Sequence, residues 1–159
     1  MTITIVVVGR AGPALRVAIE EYESRAERYW KLRVIEVPSG TAGKGKGDVG
    51  RALKREEESI LKKLPEWAEV VVLTRAGASM DSPELARYLE SLALRSVPEV
   101  SFVVGGAFGL GPGVVKRANR TPALSAGTLP HELARLVLAE QLYRAGTILR
   151  NEPYHKGGT

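Results

Sequence analysis

The sequence predicts an α/β domain in which a mainly parallel sheet carries helices on both faces. Short β-branched runs alternate along the chain with segments of helical hydrophobic spacing, which is the pattern of strand–helix–strand units. One run, 70–73, is apolar throughout, as expected of a strand buried on both faces. The loops after the third, fourth and fifth predicted strands are the richest in small residues, and ligands of such sheets bind at the carboxyl ends of strands.

Five strands and five helices account for the chain in order. We predict strands over 2–8, 32–37, 70–73, 100–104 and 122–126. We predict helices over 14–30, 48–64, 81–95, 112–119 and 131–150. Pro13 suits a first helical turn, Asp48 is a candidate N-cap, and Asp81 opens a typical helix start. Residues 38–47 lack hydrophobic periodicity and are interpreted as a surface loop.

Composition limits the class of protein. The 159 residues contain neither an internal repeat nor a linker, so we expect one domain over 1–159. Cysteine is missing, which excludes disulfides, thiolate zinc sites and cysteine nucleophiles. The two histidines, His131 and His155, make no metal-ligand spacing, so we expect no metal. No apolar run approaches a membrane span of about 20 residues and no basic leader is visible, so we expect a cytoplasmic protein.

The chain is basic, and its basic residues are clustered. The formal net charge is +5 with a pI near 9.6, which permits a polyanionic partner, although a mixed surface that leans basic explains the charge alone more simply. Residues 39–55 hold five basic residues and one acid. The C-terminal part adds Arg144, Arg150, His155 and Lys156.

A glycine-rich stretch follows the fourth predicted strand. Five of the nine residues from Gly105 to Gly113 are glycine, which favours a docked ligand or a close chain crossing over a simple turn. The stretch partly resembles the dinucleotide pattern G-x-G-x-x-G, but it follows the fourth strand, Pro112 breaks the spacing, and the expected acid about 20 residues on is missing. No phosphate-binding P-loop and no serine-hydrolase elbow occur. Tyr154-His155-Lys156 offers a ring, a donor and a charge, which suits an RNA base and its phosphate.

The order of these motifs resembles the RlmH family, the ribosomal RNA large-subunit pseudouridine N3-methyltransferases of the SPOUT class. The motifs are Gly-Gly-Ala-Phe-Gly-Leu at 105–110, Leu-Ser-Ala-Gly-Thr-Leu-Pro-His at 124–131, Glu-Gln-Leu-Tyr-Arg-Ala at 140–145 and Pro-Tyr-His at 153–155. The N-terminal Ile-Val-Val-Val-Gly, Glu21-Tyr22 and Ile-Glu-Val-Pro at 35–38 are also similar. The resemblance covers nearly the whole chain.

The resemblance implies a fold and a cofactor. Members of the family bind S-adenosylmethionine in a trefoil knot made by the C-terminal third, a topology that periodicity does not predict. Carried over by motif, the cofactor contacts are Leu73, Gly105, Leu124, Ser125, Ala126, Gly127, Thr128 and Leu129, with Ala76, Gly77 and Gly106 as neighbours.

The resemblance also implies a homodimer that methylates N3 of a pseudouridine in 23S ribosomal RNA, with the tail of each subunit acting near the cofactor pocket of the partner subunit. Tyr154 and His155 match the tail motif and are the candidate catalytic residues, with His155 a candidate general base. Lys156 stands where the family often has arginine. The expected RNA phosphate contacts are Lys44, Lys46, Arg144 and Lys156, with Arg150. The expected partner is ribosomal RNA within the ribosome, and free ribosomal RNA stays open as the alternative substrate.

Two alternatives remain open from the sequence. The first is a non-catalytic RNA-binding protein that kept the knotted fold and works through its basic loop. The second is a nucleotide-dependent oxidoreductase that uses the glycine-rich stretch. Affinity for S-adenosylmethionine, for a nicotinamide dinucleotide or for neither separates the three, because a ligand of the folded state raises stability.

Overall fold

The computed structural model describes residues 1–40 and 48–156, and within them the chain forms four strands and five helices. The strands are β1 (Thr2–Val8), β2 (Lys31–Val37), β3 (Glu69–Val72) and β4 (Glu99–Val104). The helices are α1 (Pro13–Ala26), α2 (Val49–Leu61), α3 (Ser82–Leu94), α4 (Pro112–Arg117) and α5 (His131–Leu149). The five predicted helices and the first four predicted strands are confirmed, with shifts at their ends.

The strands form one parallel sheet in the order β2-β1-β4-β3. The central pair, β1 and β4, runs in register from Thr2 opposite Glu99 to Val7 opposite Val104. Because every strand points the same way, the residues that follow them lie along one edge of the sheet. Leu73 after β3 and Gly105 after β4 are therefore neighbours on this carboxyl edge, where ligands of parallel sheets bind.

The sheet has a core on each face, since successive strand residues point to opposite sides. Ile3, Ile5 and Phe102 belong to the core shared with α1, α3 and α5. Val6 and Val103 belong to the core shared with α2 and α4. The prediction of helices on both faces is thus confirmed. None of the helices in the described residues is long and apolar enough to cross a membrane.

Two predicted helix starts are confirmed by their hydrogen bonds. The Asp48 carboxylate accepts from the Gly50 N–H at 2.9 Å and caps α2. The Asp81 carboxylate accepts from the Glu84 N–H at 2.7 Å and caps α3. Each carboxylate satisfies a backbone donor that the first helical turn leaves without an internal partner.

The predicted fifth strand, 122–126, is wrong. Residues 119–123, here called the crossing segment, instead run beside β3 and the loop after it, with single bridges between Val71 and Arg120 and between Ser79 and Ala123. Pro122 has no N–H to donate to a ladder, and its carbonyl accepts from the Thr74 N–H at 3.0 Å. The segment therefore runs parallel to β3 and continues past its carboxyl end beside the loop that follows, without forming a regular strand.

Candidate active site

A cavity of about 240 Å³ lies at the carboxyl edge of β3 and β4, between the sheet, α3 and α5. Its walls are Leu73, Met80, Asp81, Ser82, Leu85, Phe102, Pro122, Ala123, Leu124, Val137, Leu138 and Gln141. Most of these side chains are apolar, and Asp81, Ser82 and Gln141 add a few polar groups, which is the usual lining of a small-molecule site. Ligand pockets commonly measure about 300–1,000 Å³, so this cavity suits one part of a larger ligand.

The crossing segment forms one wall of the cavity through close backbone contacts with the loop after β3, residues 73–81. The Ala123 N–H donates to the Ala78 carbonyl at 3.0 Å, and the Met80 N–H donates to the Ala123 carbonyl at 3.4 Å. A Cβ at Gly77 would lie 1.9 Å from the Thr121 carbonyl oxygen, so this approach requires glycine. This contact between residues 119–123 and the loop after β3 was not predicted, and the close crossing predicted at 105–113 stays a prediction.

Two of the eight predicted cofactor residues, Leu73 and Leu124, line the cavity, one on each of these segments. The other six lie outside its lining. A Cβ at Gly105 would meet the Leu110 side chain at 2.8 Å and the Gly109 carbonyl oxygen at 2.9 Å, so the glycine serves the packing of the glycine-rich loop itself. Leu129 is half-buried before α5.

Residues 125–128 form an open turn beside the cavity-lining Leu124. The Ser125 hydroxyl accepts from the Gly127 N–H at 2.9 Å and lies 3.1 Å from the Gly127 carbonyl oxygen. Ala126, Gly127 and Thr128 are exposed. Their backbone groups are accessible to a ligand, and the role predicted for these residues stays a prediction.

The C-terminal tail, residues 150–156, folds back onto α5. The Tyr154 hydroxyl donates to Glu140 Oε1 at 3.0 Å, and its ring centroid lies 4.6 Å from that of Tyr143. Arg144 Nη2 donates to Glu140 Oε1 at 2.5 Å, while Arg144 Nη1 lies 3.2 Å from His155 Nδ1. Burial, followed by the hydrogen bond to the Glu140 carboxylate, raises the pKa of Tyr154 to about 12. Tyr154 is therefore a protonated donor at neutral pH.

A chain of hydrogen bonds connects the tail to the cavity wall. Glu140 Oε2 accepts from Gln141 Nε2 at 2.8 Å, and Gln141 Oε1 accepts from the Ser82 hydroxyl at 2.5 Å. Ser82 and Gln141 line the cavity, whereas Tyr154 and His155 do not. This series of hydrogen bonds therefore connects the cavity wall to the tail through side chains of α5.

Sequence reasoning missed Glu140, Gln141 and Ser82 as site residues. Glu140 and Gln141 entered only as part of a family motif, and Ser82 only as part of a helix start. The one available signal was the four-residue spacing of Glu140 and Arg144 on a predicted helix, at which opposite charges pair. Nothing in the sequence predicts the contact of Ser82 with Gln141.

The predicted RNA contacts differ in their surroundings. Lys44 and Lys46 lie outside the described residues. Arg144 forms an ion pair with Glu140, and the Arg150 guanidinium lies 4.7 Å from the centroid of the Tyr29 ring. Lys156 is exposed. Contact of these residues with RNA stays a prediction.

Comparison with known proteins gives a family and close relatives. The family model described as "Predicted SPOUT methyltransferase" matches residues 1–155. The chain is 50% identical to the ribosomal RNA large subunit methyltransferase H of Gemmatimonas aurantiaca, over 98% of this chain and 100% of that protein. It is 41% identical to the protein of the same name from Syntrophotalea carbinolica, over 98% of this chain and 99% of that protein.

Solved structures share the fold at low sequence identity. A probable methyltransferase from Bordetella pertussis matches with a TM-score of 0.58 at 15% identity, over 90% of this chain and 95% of that one. A probable methylase family protein from Haemophilus influenzae matches with a TM-score of 0.55 at 14% identity, over 98% of this chain and 70% of that one. With a family match over nearly its whole length and relatives at this level of identity, the chain belongs to the SPOUT methyltransferase family.

Proposed function

We propose that this protein is an S-adenosylmethionine-dependent methyltransferase that methylates N3 of a pseudouridine in large-subunit ribosomal RNA. The relatives named ribosomal RNA large subunit methyltransferase H, aligned from end to end, support the reaction class and the substrate. The observation that carries the proposal is the cavity between Leu73 and Leu124. These residues lie on separate segments, and both belong to the predicted cofactor set.

The residues at the cavity fit one part of S-adenosylmethionine. The apolar walls suit a flat or aliphatic group, and Ser82 and Gln141 supply a hydroxyl and an amide. The exposed turn at 125–128 offers backbone groups to the remainder of the cofactor. When bound, the cofactor supplies a methyl group on a positively charged sulfonium. We also infer that the crossing segment belongs to a trefoil knot, which its path beside β3 supports.

The chemistry asks the protein mainly to position two reactants. Methyl transfer to a ring nitrogen requires alignment and a separation of about 3–3.5 Å between the reacting atoms. Rigid walls hold the two reactants in this alignment, and the backbone hydrogen bonds between the crossing segment and residues 73–81 make one wall rigid. We expect that methyl transfer needs no metal.

His155 fits a positioning role as it stands. A guanidinium donates and never accepts, so the contact with Arg144 makes His155 Nδ1 an acceptor. The neutral imidazole then carries its proton on Nε2 and presents a donor, suited to a pyrimidine carbonyl oxygen. His155 becomes a general base through Nδ1 only after Arg144 releases it. Tyr154, protonated and held by Glu140, orients this end of the tail.

The working form that we propose is a cytoplasmic homodimer of single-domain subunits, each tail acting at the cavity of the partner subunit on ribosomal RNA within the ribosome. The position of Tyr154 and His155 away from the lining of their own cavity supports action in trans. The location follows from the proposed substrate, since ribosomes work in the cytoplasm.

A ligand panel followed by a transfer assay tests the proposal. S-adenosylmethionine and S-adenosylhomocysteine should raise the thermal midpoint, and NAD should not. Labelled methyl should pass to large ribosomal subunits that carry unmethylated pseudouridine, and His155→Ala should lose most of this turnover while keeping cofactor affinity. Ser24→Ala, at an exposed position on α1, is the control. Cofactor affinity without transfer to any RNA would support a non-catalytic protein, and stabilisation by NAD alone would support an oxidoreductase.

A further inference from the structure

Trp67 is the most exposed aromatic side chain of the described residues, with 68% of its surface accessible. Burying an aromatic ring of this size is strongly favourable, so packing gives no reason for its position. A single exposed apolar residue is common on a protein surface, so the ring is informative only together with the groups around it. Trp67 is remote from the tail along the sequence and is not one of the residues that line the cavity.

The loop that carries Trp67, residues 62–68 between α2 and β3, is held in place. Leu64 and Ala68 on either side of the ring are buried, with 8% and 4% of their surfaces exposed. Arg117 at the end of α4 directs Nη2 toward three carbonyl oxygens of this loop. They belong to Pro65 at 2.9 Å, Glu66 at 3.3 Å and Ala68 at 3.1 Å. The ring is therefore presented on a preorganised loop, which lowers the entropy cost of binding.

Exposed lysines lie in this loop and on α4, the helix whose Arg117 contacts it. Lys62 and Lys63 in the same loop are exposed, as is Lys116, the neighbour of Arg117. Among the described residues none of these three lysines forms an ion pair. Glu66, beside Trp67, is the one acid of the loop. Lysines at the end of α2 also suit the helix dipole, but the dipole gives no account of the exposed ring.

We propose that Trp67 with Lys62, Lys63 and Lys116 forms a second RNA-contacting surface, the ring stacking on an unpaired base and the lysines contacting the adjoining phosphates. Aromatic stacking and flexible cations are the two components of single-stranded nucleic-acid binding. The surface precedes β3 and so lies at the amino edge of the sheet, opposite the edge with the cavity. This surface contributes to RNA affinity and does not change the rate of the methyl-transfer step. The identity of the RNA rests on the proposed function.

Binding of a fluorescein-labelled single-stranded RNA oligonucleotide, followed by anisotropy, tests the surface. Trp67→Ala should weaken binding about 5-fold or more, as expected for loss of one stacked base, and Trp67→Phe should restore most of it. Lys62→Ala with Lys63→Ala should flatten the salt slope by about 1.4. The control is Lys31→Ala. Lys31 is exposed at the start of β2, the outer strand on the side of the sheet away from β3. S-adenosylmethionine affinity should not change in any of these variants.

Tryptophan emission provides a direct signature of stacking. RNA should quench the emission of the wild type, and Trp67→Phe should lose that quenching. The remaining Trp30 is half-buried and donates its indole N–H to the Leu142 carbonyl at 2.8 Å. On large ribosomal subunits, Trp67→Ala should raise KM and leave kcat within about twofold.

Two outcomes would contradict the proposal that Trp67 contacts RNA. One is equal RNA affinity and quenching in wild type and Trp67→Ala. The other is a change of oligomeric state in Trp67→Ala with RNA affinity intact, which assigns the ring to a protein interface. Failure of the proposed function looks different: the wild type then binds no S-adenosylmethionine and transfers no methyl, whatever the oligonucleotide data show.

Discussion

Replacing Gly77 by alanine should force apart the two chain segments that form one wall of the cavity. The new Cβ would lie 1.9 Å from the Thr121 carbonyl oxygen, where ordinary contact begins at 3.4 Å, so the segments must separate by about 1.5 Å. The hydrogen bonds from Thr74 N–H to the Pro122 carbonyl and from Ala123 N–H to the Ala78 carbonyl, both 3.0 Å, lie on either side of this point. Such a movement takes them beyond hydrogen-bonding distance.

The magnitude follows from these contacts. Two lost hydrogen bonds at about 1 kcal/mol each, with the strain of an overpacked site, give a loss of roughly 2–4 kcal/mol. For a chain of this size, 1 kcal/mol lowers the thermal midpoint by about 2–4 °C, so Gly77→Ala should lose roughly 5–15 °C. S-adenosylmethionine should then stabilise the variant less than the wild type.

Scanning calorimetry and urea unfolding of Gly77→Ala and Gly127→Ala measure this difference. Gly127 lies in the exposed turn, where a new Cβ would meet the Ser125 hydroxyl at an ordinary 3.5 Å. Gly127→Ala should therefore stay within about 0.5 kcal/mol of the wild type or become slightly more stable. A Gly77→Ala midpoint within about 2 °C of the wild type would refute the close crossing as the structure describes it.

Three further predictions concern the tail and the helix α5 that precedes it. Glu140→Gln keeps the shape of the side chain and removes its charge, which weakens its hydrogen bonds with Arg144 and Tyr154. The rate of methyl transfer should fall about tenfold or more, while cofactor affinity stays within about threefold of the wild type. Turnover equal to that of the wild type would show that Glu140 does not position the tail. In a phenolate absorbance titration, the difference between wild type and Tyr154→Phe should show one tyrosine ionising near pH 12. Since the folded pKa lies above the ordinary 10.0, the stability contributed by Tyr154 is present below about pH 10 and is lost as pH rises toward 12; ionisation at 10 would contradict the bond to Glu140. Gly146→Ala should destabilise by about 1–2 kcal/mol despite the higher helix propensity of alanine, since its Cβ would lie 2.4 Å from Tyr29, and unfolding measurements showing a gain would count against that packing.

The helices and the four strands follow from local signals. Runs such as 100–104 are apolar and β-branched over the length of a strand, and Asp48 and Asp81 supply capping carboxylates at the positions where helices begin. The predicted fifth strand failed although its small apolar residues satisfy the pattern of a buried strand. Pro122 lacks an N–H for a strand ladder, and the partners of the crossing segment lie more than 40 positions away along the chain. Hydrophobic periodicity carries no information on which distant segment a loop contacts.

The candidate site divides in the same way. The motifs predict Leu73 and Leu124 as cofactor contacts, and both residues line the cavity, while their contact with a cofactor stays a prediction. The contact of Ser82 with Gln141, separated by 59 positions, and the hold of Glu140 on Tyr154 were decided by how α5 packs against α3 and the tail. The sequence by itself determined the five helices, the four strands of the sheet, their order along the chain and the family, because these depend on local spacing and on motif order. Tertiary structure alone decided the crossing, the cavity and the position of the tail, because each depends on side-chain and backbone contacts between segments that are remote along the chain.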